Sequence, residues 1–90
     1  MPTISTFYGI AIRIYVKNHP PPHFHAYYGD EAAFVSIETG QVIEGSLPPN
    51  AARLVAQWSA LHRDERLENW RRIGLDEAPL RIEALDARKN

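Results

Sequence analysis

From Ile10 to Lys17 the chain reads Ile-Ala-Ile-Arg-Ile-Tyr-Val-Lys, every second residue a large aliphatic. A period of two is the signature of a strand with one face buried. Ile10, Ile12, Ile14 and Val16 form the inward set, and Arg13, Tyr15 and Lys17 point the other way. After a loop from Asn18 to Pro22, a second strand is expected from His23 to Tyr28. Gly29-Asp30 reads as a two-residue II′ turn, with glycine supplying the positive φ. A third strand then runs from Glu31 to Glu38, Thr39-Gly40 turns the chain again, and a short fourth strand lies around Val42 to Gly45.

Pairing follows from the turns. A first loop symmetric about Pro20 sets Tyr15 opposite His25, Arg13 opposite Tyr27 and Lys17 opposite His23. The tight turn at Gly29-Asp30 sets Ala26 opposite Ala33 and Phe24 opposite Val35. One face then collects Ile10, Ile12, Ile14, Val16, Phe24, Ala26, Tyr28, Ala33, Val35 and Ile37. The other collects Arg13, Tyr15, Lys17, His23, His25, Tyr27 and Ser36, with Phe34 its one large apolar member. A slip of one residue would mix the two sets, so their separation supports the register.

The second half changes period. Leu47-Pro48-Pro49-Asn50 suits the first turn of a helix, and Leu54, Val55, Trp58 and Leu61 recur at helical spacing. Leu67, Trp70 and Ile73 continue out of phase, which predicts a kink near Arg63-Asp64 or a second short helix. Gly74 is the expected C-cap. Ala78 to Glu83 is expected to add an edge strand, and Asp86 to Asn90 a frayed, charged tail. The fold class predicted is α+β, in one domain spanning residues 1–90. It consists of a small antiparallel β-meander of about four strands near residues 7–46 and a long or broken C-terminal helix near 49–73 covering one face, with a tail over 74–90.

Composition narrows the chemistry. The chain has 90 residues, 44% of them hydrophobic, and a formal net charge of −1. That charge gives no global basic field to draw in nucleic acid, so any such contact needs a local patch. Cysteine is absent, which removes disulfides, thiolate metal sites and thiol nucleophiles together. The start, Met1-Pro2-Thr3-Ile4-Ser5-Thr6, has neither the basic residues nor the apolar run of a signal peptide. The expectation is a cytoplasmic protein with no membrane contact.

Candidate chemistry concentrates in one segment. Three of the four histidines fall within His19-Pro20-Pro21-Pro22-His23-Phe24-His25. Imidazole titrates near neutral pH and ligates metals, and alternation places His23 and His25 on one face of their strand. Joined by Arg13, Tyr15, Lys17 and Tyr27, they would suffice for metal-independent RNA cleavage. His23 and His25, with His19 or His62, would move protons; Arg13 and Lys17 would bind phosphate, and Tyr15 or Tyr27 would be a stacking platform. The same residues would serve plain binding of single-stranded nucleic acid, or form a solvated sheet face with paired rings. His19, His23 and His25 are the alternative metal set, although no carboxylate falls on their face at suitable spacing. No cofactor is expected. His62-Arg63-Asp64 with Asn69 matches a kinase catalytic-loop string, yet the chain lacks the Gly-rich loop and the Asp-Phe-Gly that give that string meaning.

The segment HPPPHFHAYYG, the opening MPTI…FYGI, the stretch TGQVIEGSLPP and the helix ending LHRDERLENW together resemble a bacterial family known as domain of unknown function 4160. The resemblance spans Met1 to about Leu85. It implies a bacterial cytosolic protein in the toxin role of a toxin–antitoxin-type pair, with a cognate small antitoxin as partner and growth inhibition as its effect. It supplies no reaction, and RNA or the translation machinery as target is the reading of the His-rich sheet face. It also marks His19, His23, His25, Tyr27, Tyr28, His62, Glu65 and Trp70 as positions to test. The alternatives are a non-enzymatic protein-interaction module, for which open strand edges leave room for a partner chain or a homodimer, and a small His-ligated metal protein.

Overall fold

The computed structural model describes residues 3–14 and 23–85. Five strands form one antiparallel sheet in chain order: β1 (Thr3–Phe7), β2 (Ile10–Arg13), β3 (His23–Tyr28), β4 (Glu31–Ser36) and β5 (Val42–Gly45). Two helices follow, α1 (Pro49–Leu61) and α2 (Arg63–Gly74). The fold is α+β.

The additional strand is β1, which residue alternation does not predict. Its pairing with β2 slips by one residue between Thr3 and Ser5. An extra residue in one strand rotates its side chains out of strict alternation, so Ile4, Ser5 and Phe7 are all buried. Tyr8 and Gly9, at φ 49° and 78°, close the hairpin to β2. Two successive positive φ values are the mark of a I′ turn.

β2 and β3 meet two residues away from the expected pairing: Arg13 lies opposite His25, and Ala11 opposite Tyr27. A slip of two preserves the face of every side chain, so the expected sets survive the correction. Ala26 does face Ala33 and Phe24 does face Val35, and Gly29 takes φ 59° in the turn between them. β4 stops at Ser36 rather than Glu38. There the Ser36 carbonyl accepts from Gly40 N–H at 2.8 Å, and its own N–H donates to the Gln41 carbonyl at 2.8 Å, which bends the chain early. Tyr15, Val16, Lys17, His19, the three prolines and the charged tail lie outside the described residues.

The core forms where one sheet face meets the helices. Trp58 of α1 stacks on Phe7 at 5.7 Å and meets Phe24 edge-on at 5.6 Å. Around it Ile4, Ile10, Ile12, Ile14, Val35 and Ile37 are buried. Tyr28 departs from its expected burial because it ends β3 beside the turn and is exposed. Leu61 departs too. The line of buried helix residues runs through Val55, Ser59, His62, Arg66, Asn69 and Ile73, a 4-3-4-3-4 spacing that keeps one face inward and leaves Leu61 outside. The second short helix is confirmed, with the break at His62 (φ −116°, ψ 36°).

Gly74 is the last residue of α2, not its cap. Asp76 takes the left-handed position at φ 61°, and the amides of Asp76 and Glu77 reach back to the carbonyls of Ile73 and Arg72. Ala78 to Glu83 does not become a strand. It passes beside β1 and makes one ladder-like bond, Ile82 N–H to the Ile4 carbonyl at 2.7 Å. Side chains hold it there. Asn69 donates to the Leu80 carbonyl at 2.8 Å and accepts from its N–H at 2.7 Å, while Trp58 Nε1 donates to the Glu83 carbonyl at 3.1 Å.

Candidate functional site

β3 carries His23, His25 and Tyr27 on the sheet face opposite Phe24, the residue that meets Trp58. Phe34 enters the same face from β4, directly across from His25. The rings form a stack: His25 lies 4.0 Å from Phe34, and His23 lies 5.4 Å from Phe34 and 5.2 Å from His25. Tyr27 continues the row. Its hydroxyl lies 3.1 Å from His25 Nδ1, and the phenol donates when Nδ1 is bare. The Arg13 guanidinium sits 5.2 Å from the Tyr27 ring centre, a cation held against a π face. Arg13, His23, His25 and Tyr27 are therefore gathered on one face.

They are packed rather than displayed. His23 is 8% and His25 9% exposed. Burial first, and the neighbouring His23 second, lower the His25 pKa from 6.5 to about 4. Desolvation penalises the charged imidazolium, so His25 is neutral at pH 7. A neutral imidazole can accept a hydrogen bond or a metal, but it has no proton to give as an imidazolium acid. Among the described residues no three His, Asp or Glu side chains gather as a metal site.

The structure does not bring His62 to this face. His62 packs on Trp58 at 5.6 Å, on the helix side of the sheet, and its Nδ1 lies 3.1 Å from the Glu65 carboxylate. The sheet stands between it and the β3 histidines. Tyr15, Lys17 and His19 belong to the stretch outside the described residues.

Apolar periodicity passes over Ser59, Arg66 and Asn69, which are buried in the helix line. Arg66 donates from Nε to the Ser59 carbonyl at 3.0 Å and from a terminal nitrogen to the Ile37 carbonyl, tying the helices to the end of β4. A signal was available in the 3–4 spacing that continues unbroken from Val55 to Ile73 through polar residues.

The other exposed feature is the β5 edge. All four β5 residues are exposed, with Val42 at 48% and Ile43 at 47%. Among the described residues β5 pairs with β4 alone, and a bulge interrupts that ladder at Phe34/Val35. Gly45 closes the strand at φ 81°; a Cβ there would meet the Ala32 carbonyl oxygen at 2.4 Å, so only glycine fits. From Glu38 to Asn50 the chain carries Glu38 and Glu44 and no basic residue.

A model of the family described as "Domain of unknown function (DUF4160)" matches residues 9–71, and the chain belongs to that family. No curated protein and no solved structure matches it.

Proposed function

We propose that this chain is a protein-interaction module that pairs with a small cognate protein, in the toxin-and-antitoxin manner its family resemblance implies, and that β5 receives an added strand from that partner. The observation that carries this reading is an edge strand bearing adjacent half-exposed Val42 and Ile43, with β4 on one side and no strand among the described residues on the other. Unpaired edge amides and carbonyls template a further strand, and alternate side chains give it specificity. Glu44 on β5 favours a partner strand that carries Lys or Arg.

The test is co-expression with the cognate protein, followed by hydrogen exchange on the purified pair. The β5 amides that point away from β4 are expected to slow on binding. Ile43→Lys should weaken binding at least about tenfold while changing stability by no more than about 0.5 kcal/mol, as expected for an exposed position. Unchanged affinity in Ile43→Lys, or slowing confined to other strands, would overturn the β5 reading.

A second reading, action on RNA through the ring face, is favoured by the gathering of Arg13, His23, His25 and Tyr27. It needs a proton donor other than His25 at neutral pH. Growth arrest on inducing the chain alone, lost in His23→Ala at matched soluble expression, is its expected signature. Transcripts that stay intact during arrest would reject it.

A further inference from the structure

An open cavity of about 430 Å³ lies between the β4–β5 turn and the helices, lined by Glu38, Thr39, Gly40, Ser59, Arg63 and Arg66 among others. Its floor has an unusual charge balance. Arg66 is only 3% exposed, and its two hydrogen bonds in the structure go to neutral carbonyls, those of Ser59 and Ile37. No carboxylate of the described residues forms an ion pair with it. Buried charges are ordinarily paired with an opposite charge. The next cation along the helix, Arg63, faces the same cavity and adds like charge. Burial first, and Arg63 second, pull the Arg66 pKa below its ordinary value, the direction expected of a guanidinium without a counter-ion.

Two further observations mark the cavity as built for an occupant. Ser59 is 1% exposed, and its Oγ has no hydrogen-bond partner. Such a hydroxyl is destabilising unless something completes it. Opposite it stands Gly40, at φ 77°. A Cβ there would come within 3.3 Å of Ser59 Cβ and 3.9 Å of the second terminal nitrogen of Arg66. Gly40 therefore packs closely on Ser59, and any side chain there would crowd the hydroxyl and that nitrogen.

We propose that this cavity binds a phosphate group, held by the free terminal nitrogen of Arg66, the Ser59 hydroxyl and the Arg63 guanidinium. Phosphate matches the donors: a guanidinium N–H and a hydroxyl can each give a hydrogen bond to a separate oxygen, and a second cation balances the second charge. Glu38 is the one acid on the lining and sets a local repulsion that the two arginines outweigh. The site lies on the helix side of the sheet, away from the ring stack of β3.

The test uses the full chain with inorganic phosphate and, separately, a 5′-mononucleotide. Phosphorus NMR line broadening reads binding, and thermal melts at matched ionic strength in chloride read stabilisation. Wild type is expected to broaden both signals or one of them. Broadening by the nucleotide at equal or tighter affinity identifies an esterified phosphate as the occupant, and broadening by phosphate alone identifies the free ion. Ser59→Ala should melt no lower than wild type without phosphate, because the hydroxyl it removes has no partner, yet bind about three- to tenfold more weakly. Arg63→Ala should also keep its melting temperature without phosphate and lose at least about fivefold in affinity. Glu38→Gln should bind more tightly. Absence of broadening by either probe, or equal binding by wild type, Ser59→Ala and Arg63→Ala, would overturn the proposal.

Discussion

At the β1 edge the chain returns and covers itself; at the β5 edge the sheet ends with Val42 and Ile43 half exposed and no further strand among the described residues. Both edges are short strands with a bulge in their ladder, so strand length and regularity do not separate them. The difference comes from side chains two elements away. Asn69 grips the backbone of Leu80 with two hydrogen bonds, Trp58 takes the carbonyl of Glu83, and Ile82 is delivered to Ile4. Among the described residues no such fixture addresses β5. Edge closure in this protein is a matter of polar side chains reaching backbone, and an edge without such attention stays available to a partner.

That contrast can be broken from either side. The largest effect is expected from Trp58→Ala, which removes the contact with Phe7 and Phe24 and frees Glu83 at once. A loss of about 3–5 kcal/mol in urea denaturation is expected for a fully buried indole. Next is Gly45→Ala, which drives a Cβ against the Ala32 carbonyl in a left-handed backbone. It should cost about 2–3 kcal/mol, or release β5 from β4, and loss of exchange protection across β4–β5 alone would show the second outcome. Asn69→Ala leaves both Leu80 backbone groups without their partner. About 2 kcal/mol is expected, and the Ile82 amide should exchange faster; if it does not, Asn69 is not what holds the β1 edge shut.

The middle of the sheet gives the smallest effect. His25 binds a proton more weakly folded, at about 4, than at its ordinary 6.5. Between those values the unfolded chain takes up the proton and the folded chain does not, so stability falls as pH drops through that window and levels off below it. Allowing for solvent screening, the fall is about 1–2 kcal/mol. Melting temperature against pH checks it, and His25→Gln should flatten the curve.

Alternation made most of the sheet legible. The faces of β2, β3 and β4 followed from period two and from one glycine turn, and a register wrong by two residues left them intact because parity is what burial reads. β1 stayed hidden because its bulge places Ser5 in the interior beside Ile4, which no hydrophobic pattern announces. The helix line was half legible for a related reason: Ser59, His62, Arg66 and Asn69 occupy core positions, where Arg66 and Asn69 satisfy backbone groups and His62 faces Glu65. The histidines were legible as neighbours on one face, but not as a packed stack. Phe34, the lone apolar residue assigned to that face, was the sign that its rings bury one another.

The bond between β1 and its cover joins residues separated by 78 positions. Every pairing within the meander is local by comparison, and local contacts form first. A ribosome makes β1 well before the covering segment. Until the segment from Leu80 to Leu85 docks, a folded meander would have both edges open among the described residues, and docking leaves β5 as the open one. A strand arriving before that docking would meet a choice of edges that the folded domain no longer offers, so the order of events decides which edge it can reach.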